Sequence, residues 1–103
     1  MINLFNIEYS SQALIDIDNL FEVITYKYKA PETAFRYING LIRIINSLRN
    51  SADIYSDYSK KSLEKYGHNL KRINYKRMAI IFAIYNNMVY IHRIIPANTI
   101  SDL

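Results

Sequence analysis

The side chains able to do chemistry are few, and most lie in the second half of the chain. Between Lys60 and Arg77 stand seven basic residues and one acid, Glu64. A field of that sign attracts phosphate or an acidic protein partner. Lys71, Arg72, Lys76 and Arg77 form its tightest group, and Arg93 follows further on. The groups that could move a proton are Tyr90, His92 and His68. His92 also reads as an ordinary strand histidine, and His68 as a loop histidine beside Gly67. The chain has no cysteine and two histidines. That excludes a disulfide scaffold, a thiolate zinc site and a cysteine nucleophile, and it argues against a His-based metal cluster. No metal and no cofactor are expected.

Length bounds what can position these groups. The chain has 103 residues and a mass of 12.2 kDa, which predicts one domain over residues 1–103 and leaves no room for a separate cofactor lobe. At 50% hydrophobic and 21% charged residues it is globular rather than disordered. The formal net charge of +4 sits wholly in residues 51–103. The longest apolar run, Met78–Tyr85, has eight residues, against about 20 for a membrane span. Met1–Ser11 carries no Lys or Arg and so lacks the basic start of an export signal. A cytoplasmic protein without a membrane partner is expected.

Periodicity predicts the elements. Phe5, Ile7 and Tyr9 alternate with Asn6 and Glu8 as in a strand over Ile2–Tyr9. Ser10-Ser11 offers a helix N-cap. Leu14, Ile17, Phe21, Ile24 and Tyr28 then make one helical stripe, with Asp16, Asn19 and Glu22 elsewhere, so the first helix is expected over Ser11–Lys29. Pro31 restarts a second helix, whose stripe is Phe35, Ile38, Leu41 or Ile42, Ile45 and Leu48. Gly40 inside it is read as a point of close packing against the first helix. Ser51–Asn69 reads as a polar surface crossover with a helical turn at Lys60–Tyr66. Three strands follow: Leu70–Tyr75, Met78–Tyr85 and Met88–Ile95. The continuously apolar Met78–Tyr85 is expected to be central and covered on both faces. Asn86-Asn87 suits a tight hairpin turn, and Pro96 ends the last strand. Lys71, Arg72, Lys76 and Arg77 would be borne by strands. The result is an α+β domain in which a helical hairpin packs on one face of an antiparallel sheet, with the basic groups on the other, partly open face.

This order resembles the RelE/ParE superfamily of toxins from bacterial type II toxin–antitoxin pairs, over residues 3–98. Tyr9, Ser10, Ala13, Asp16, Ile17 and Ile24 match the family's first strand and helix. "APETAFRYINGLIRIINSL" is similar to its second helix. "LKRINYKRMAIIFAIYNNMVYIHRI" looks like its closing strands, with Arg72, Arg77 and Arg93 at the family's basic positions.

The resemblance implies a small toxin that inhibits growth, serves plasmid stabilisation, and is held in a hetero-oligomer by a cognate antitoxin. It implies one of two activities. RelE-like members cleave mRNA on the ribosome; ParE-like members poison DNA gyrase. RNA cleavage needs a base, phosphate-stabilising cations and an acid. Lys71, Arg72, Lys76, Arg77 and Arg93 could be the cations, and Tyr90 or His92 could move protons. Nuclease members often place a His or Tyr just after the last-strand arginine, but Ile94-Ile95-Pro96-Ala97 follows Arg93 here. Simple strand alternation also puts His92 and Arg93 on opposite faces. The gyrase-directed activity is therefore favoured, with Arg72, Arg77 and Arg93 as target contacts and Lys71 and Lys76 adding attraction. On that reading, replacing Arg93 leaves the fold intact. The Gly-Arg-Arg ending common in the family is absent, which keeps an inactive binding module as a third reading. For the antitoxin, apolar surface left uncovered by a small domain is the expected seat, with Tyr26, Tyr28 and Tyr37 at its rim.

Overall fold

A computed structural model describes residues 4–100. Its elements run β1 (Asn6–Tyr9), α1 (Ser11–Glu22), α2 (Pro31–Ser51), β2 (Lys71–Tyr75), β3 (Met78–Tyr85) and β4 (Met88–Pro96). Ile2 and Asn3 of the expected first strand lie outside the described residues. The sheet order is β1-β4-β3-β2. The β2–β3 and β3–β4 pairs are antiparallel, as expected of sequential hairpins. The β1–β4 pair is parallel, so the sheet is mixed. The helical hairpin and the segment after it carry the chain from β1 at one edge of the sheet to β2 at the other, and β4 then returns beside β1.

Burial on β3 explains its apolar run. Met78, Ile80 and Phe82 pack with Leu41, Ile45 and Leu48 of α2 and with Val89 and Ile91 of β4. Ala79, Ile81 and Ala83 turn the other way and pack with Leu63 and Leu70 of the crossover. The face expected to lie open is thus closed along its middle. A 3₁₀ turn, Lys61–Tyr66, places Leu63 there at 2% exposure. Gly67 ends that turn at φ 118°, a conformation that other residues rarely adopt.

The first helix departs from the expected pattern in two ways. It is α-helical only to Glu22; a π-helical turn, Val23–Lys27, completes it. Its buried residues are Ala13 and Asp16, with Ile17 and Leu20 half-buried, whereas Leu14 is 52% exposed and Tyr28 64%. The sheet-facing stripe is therefore shifted by one position. Small Ala13 lets the helix approach, and Asp16 has a partner on β4. The cap is as expected: Ser10 Oγ accepts from the Ala13 N–H at 2.9 Å, and it also donates to the His92 carbonyl at 2.7 Å. α2 follows its expected stripe at Leu41, Ile45 and Leu48, although Phe35 is exposed.

Two further expectations are corrected. Gly40 packs against Tyr75 of β2, not against the first helix; a Cβ there would strike the Tyr75 hydroxyl. Lys76 and Arg77 are not in a strand but form the β2–β3 turn, with Lys76 at φ 53°. The Asn86-Asn87 turn matches expectation, with Asn86 at φ 56°.

Candidate functional site

One irregularity in β4 builds the site. Ile81 lies opposite Arg93 while Phe82 lies opposite Ile91, so His92 is an extra residue without a cross-strand partner. Such a bulge resets the alternation of side chains. Tyr66 consequently touches both neighbours: its hydroxyl accepts from Arg93 Nη1 at 2.9 Å, and its ring centroid lies 6.1 Å from that of His92. The expected placement of His92 and Arg93 on opposite faces does not hold.

Arg93 is tied on its other side to Asp16. Nε donates to Oδ2 at 2.8 Å and Nη2 to Oδ1 at 2.9 Å, a bidentate pair. The Ile94 N–H also donates to Asp16 Oδ2, at 2.9 Å. β1 stops opposite Ile91. Beyond that point the outer edge of β4 is served by Ser10 and Asp16 instead of by a strand. The Asp16 carboxylate, aided by the Tyr66 hydroxyl, holds the Arg93 guanidinium well above its ordinary pKa against the opposing effect of burial. Arg93 is a permanent cation whose charge is already paired.

His92 belongs to an aromatic group at the uncovered end of the second face. Its ring centroid is 4.8 Å from Tyr90 and 6.4 Å from Tyr85, and its Nε2 is 3.2 Å from the Tyr85 hydroxyl. Burial lowers its pKa, favouring the neutral ring. A neutral imidazole beside phenols can accept or donate a proton.

The remaining basic residues do not gather. Lys71 donates to the Tyr55 carbonyl at 2.7 Å and to Asp57 Oδ1 at 3.1 Å. It lies opposite Phe82, on the helix side of the sheet. Arg72 lies opposite Ile81, on the other side, and bonds to Tyr58 Oη at 2.6 Å and Asn74 Oδ1 at 2.8 Å. Lys76 Nζ sits 5.9 Å from the Tyr37 ring centroid and 5.8 Å from that of Tyr75. Arg77 is exposed at the turn. His68 is exposed in the crossover, where it lines a recess with Asp57 and Tyr58. Among the described residues, no group of three His, Cys, Asp or Glu side chains could hold a metal ion.

A second feature runs along the free edge of β4. A groove of about 250 Å³ lies between α1 and that edge, lined by Asn19, Leu20, Val23, Met78 and Ile94–Pro96, with Asp16 and Arg93 at its base. Leu14, Ile15 and Val23 on the first helix, and Tyr26, Tyr28 and Phe35 near the hairpin tip, expose 45–74% of their surface. Tyr37, named with Tyr26 and Tyr28 as a rim contact, is half-buried and packed edge-on against Tyr75, with ring centroids 5.1 Å apart.

The architecture has a solved counterpart. A chain from a structure described as the chromosomal ParDE TA system from P. aeruginosa superposes with a TM-score of 0.75, covering 91% of this chain and 97% of that one at 12% identity. The chain shares the fold of that ParDE chain. No family model matches the sequence, and no curated protein does.

Asp16, Tyr66 and Tyr85 are the site residues that sequence reasoning missed as participants. Asp16 carried a signal: an acid sits at helical spacing from Ala13 and Leu20, within the face that is buried. Tyr66 and Tyr85 carried none, because their positions depend on the crossover's path and on the bulge.

Proposed function

We propose that this chain is the toxin of a toxin–antitoxin pair, ParE-like in activity, acting on DNA gyrase in the cytoplasm and neutralised in a hetero-oligomer by a cognate antitoxin. The observation that carries the reading is the groove beside the free edge of β4, with the exposed apolar residues of the hairpin around it. An antitoxin segment would lay an apolar helix face or an added strand there. Among the described residues, no helix is long and apolar enough to cross a membrane.

The scattered cations favour gyrase over mRNA cleavage. A cleaving centre needs cations converging on one phosphate. Here Lys71 and Arg72 lie on opposite sides of the sheet, Arg77 is exposed at the β2–β3 turn, and the recess that Arg93 shares with Lys65 has neither Tyr90 nor His92 among its lining residues. Binding a protein target makes no such demand. Arg72, Arg77 and Arg93, with Lys71 and Lys76, remain the proposed target contacts. One observation favours the RelE-like ribonuclease as a second reading: the neutral-leaning His92 hydrogen-bonded to Tyr85, with Tyr90 in contact.

Two parallel assays test the proposal with purified protein. The expected result is loss of DNA gyrase supercoiling and normal cell-free translation from finished mRNA. Codon-spaced cuts in that mRNA, with supercoiling intact, would replace the first reading by the second. No effect in either assay, and no arrest of growth on overexpression, would leave an inactive toxin-fold module.

A further inference from the structure

We propose that the recess between the 3₁₀ turn Lys61–Tyr66 and the end of β4 binds the phosphate group of a small phosphomonoester. The recess measures about 370 Å³, within the range of small-molecule sites. Its polar wall contains Ser62, Lys65, Tyr66 and Arg93, and Ile95 is part of its apolar floor. The proposal stands without the toxin reading, because it rests on this geometry alone.

Two cations converge there on one phenol. Lys65 Nζ lies 5.3 Å from the Tyr66 ring centroid, and Arg93 Nη1 donates to the Tyr66 hydroxyl at 2.9 Å. Among the described residues, no carboxylate lines the recess. Asp16 holds the opposite edge of the guanidinium and lines the groove on the other side, while Glu64 faces a separate recess within the crossover. Asp16 therefore fixes the guanidinium and leaves the Tyr66 side to a second anion. A guanidinium has five N–H donors. Those engaged with Asp16 and Tyr66 number three, so donors remain for a phosphate oxygen. Tyr66 accepts from Arg93, which leaves its own O–H to donate. Leu63, Ile95 and Pro96 give the organic part of a ligand an apolar surface. His92 is not among the lining residues, so the site is one of binding, not of cleavage.

The test is an amide NMR titration of the full chain at constant ionic strength with inorganic phosphate, adenosine monophosphate and adenosine. Saturable shifts of the Lys65, Tyr66 and Arg93 amides are expected with phosphate and with the monophosphate, and none with adenosine. Lys65→Ala, at an exposed position, should weaken monophosphate binding about tenfold, the loss expected for one charge-assisted hydrogen bond. Tyr66→Phe should weaken it as well while retaining the ring. Equal shifts from adenosine and its monophosphate, an unchanged affinity in Lys65→Ala, or the absence of saturable shifts at these amides would overturn the proposal.

Discussion

Asp16 and Arg93 stand 77 residues apart in the chain and meet through two hydrogen bonds of 2.8 and 2.9 Å. The pair ties the first helix to the last strand. Asp16 is 7% exposed and Arg93 24% by side chain. Breaking a largely buried pair strands one charge, and Asp16 also caps the Ile94 N–H. Asp16→Ala should therefore destabilise the fold by about 3 kcal/mol, and Arg93→Ala by a similar amount. Arg93 is thus tied into the fold as well as being a proposed contact, and its replacement is expected to cost stability. Urea denaturation of both single variants and the double variant would check this. The double variant should lose clearly less than the two single losses combined; strict additivity would show that the pair contributes no coupling.

Gly40 and Tyr75 make a second pair whose coupling has a definite sign. In an exposed helix, Gly→Ala gains about 1 kcal/mol. Here the added methyl meets the Tyr75 hydroxyl, which donates to the Tyr37 carbonyl at 2.9 Å. The Tyr75 ring is held edge-on against Tyr37 and cannot swing freely. Gly40→Ala should lower the melting temperature of the wild-type chain. In a Tyr75→Phe background the same change should cost less, because the hydroxyl contact is gone and only ring carbons at 3.0 and 3.2 Å remain. Thermal denaturation of the four chains decides; equal shifts in both backgrounds would mean that the contact is not felt.

His92 makes stability depend on pH. Burial lowers its folded-state pKa below the ordinary value near 6.5. Between those two values the unfolded chain binds the proton and the folded chain does not. Stability is thus complete above about pH 6.5 and falls as pH drops through the folded-state value. His92→Gln should flatten the slope between about pH 7.5 and 5.5 in urea unfolding midpoints, leaving only what the carboxylates contribute. An unchanged slope would assign the acid loss to other groups.

How far the sequence disclosed this molecule depends on the range of the interaction. Local signals were reliable: the Ser10 cap, Pro31 at the start of α2, the Asn86 turn and the doubly covered β3 are each decided within a few residues. Long-range pairings were not. Nothing local says that β1 runs parallel to β4, or that β4 gains an extra residue at His92. The bulge in turn decides that Tyr66 can reach both His92 and Arg93. The first helix misled for a related reason. Its strongest apolar stripe starts at Leu14, but the sheet-facing side is set by Asp16, a charge that periodicity assigns to solvent and that Arg93 draws inward. Lys76-Arg77 lacks the Asn or Gly that marks a tight turn, so nothing local shows that these two residues leave the strands on either side of them.

Val23 offers a test of the proposed antitoxin seat that leaves the rest of the molecule alone. It lines the groove, is 45% exposed and opens the π-helical turn. Within the isolated chain a charge at that position reaches water, so Val23→Glu should change stability by no more than about 0.5 kcal/mol. In a complex the same carboxylate would be buried in an apolar seam without a partner, at a cost of several kcal/mol. Co-expression with the protein encoded beside it should yield a stable complex for the wild-type chain and none for Val23→Glu, with the circular dichroism of the free variant unchanged. Retention of the complex at wild-type affinity would move the antitoxin away from this groove. Loss of both complex and fold would be uninformative for Val23→Glu alone; Val23→Ala, which deletes contact area without adding charge, then separates the two, because it should keep the fold and weaken the complex by about 1 kcal/mol.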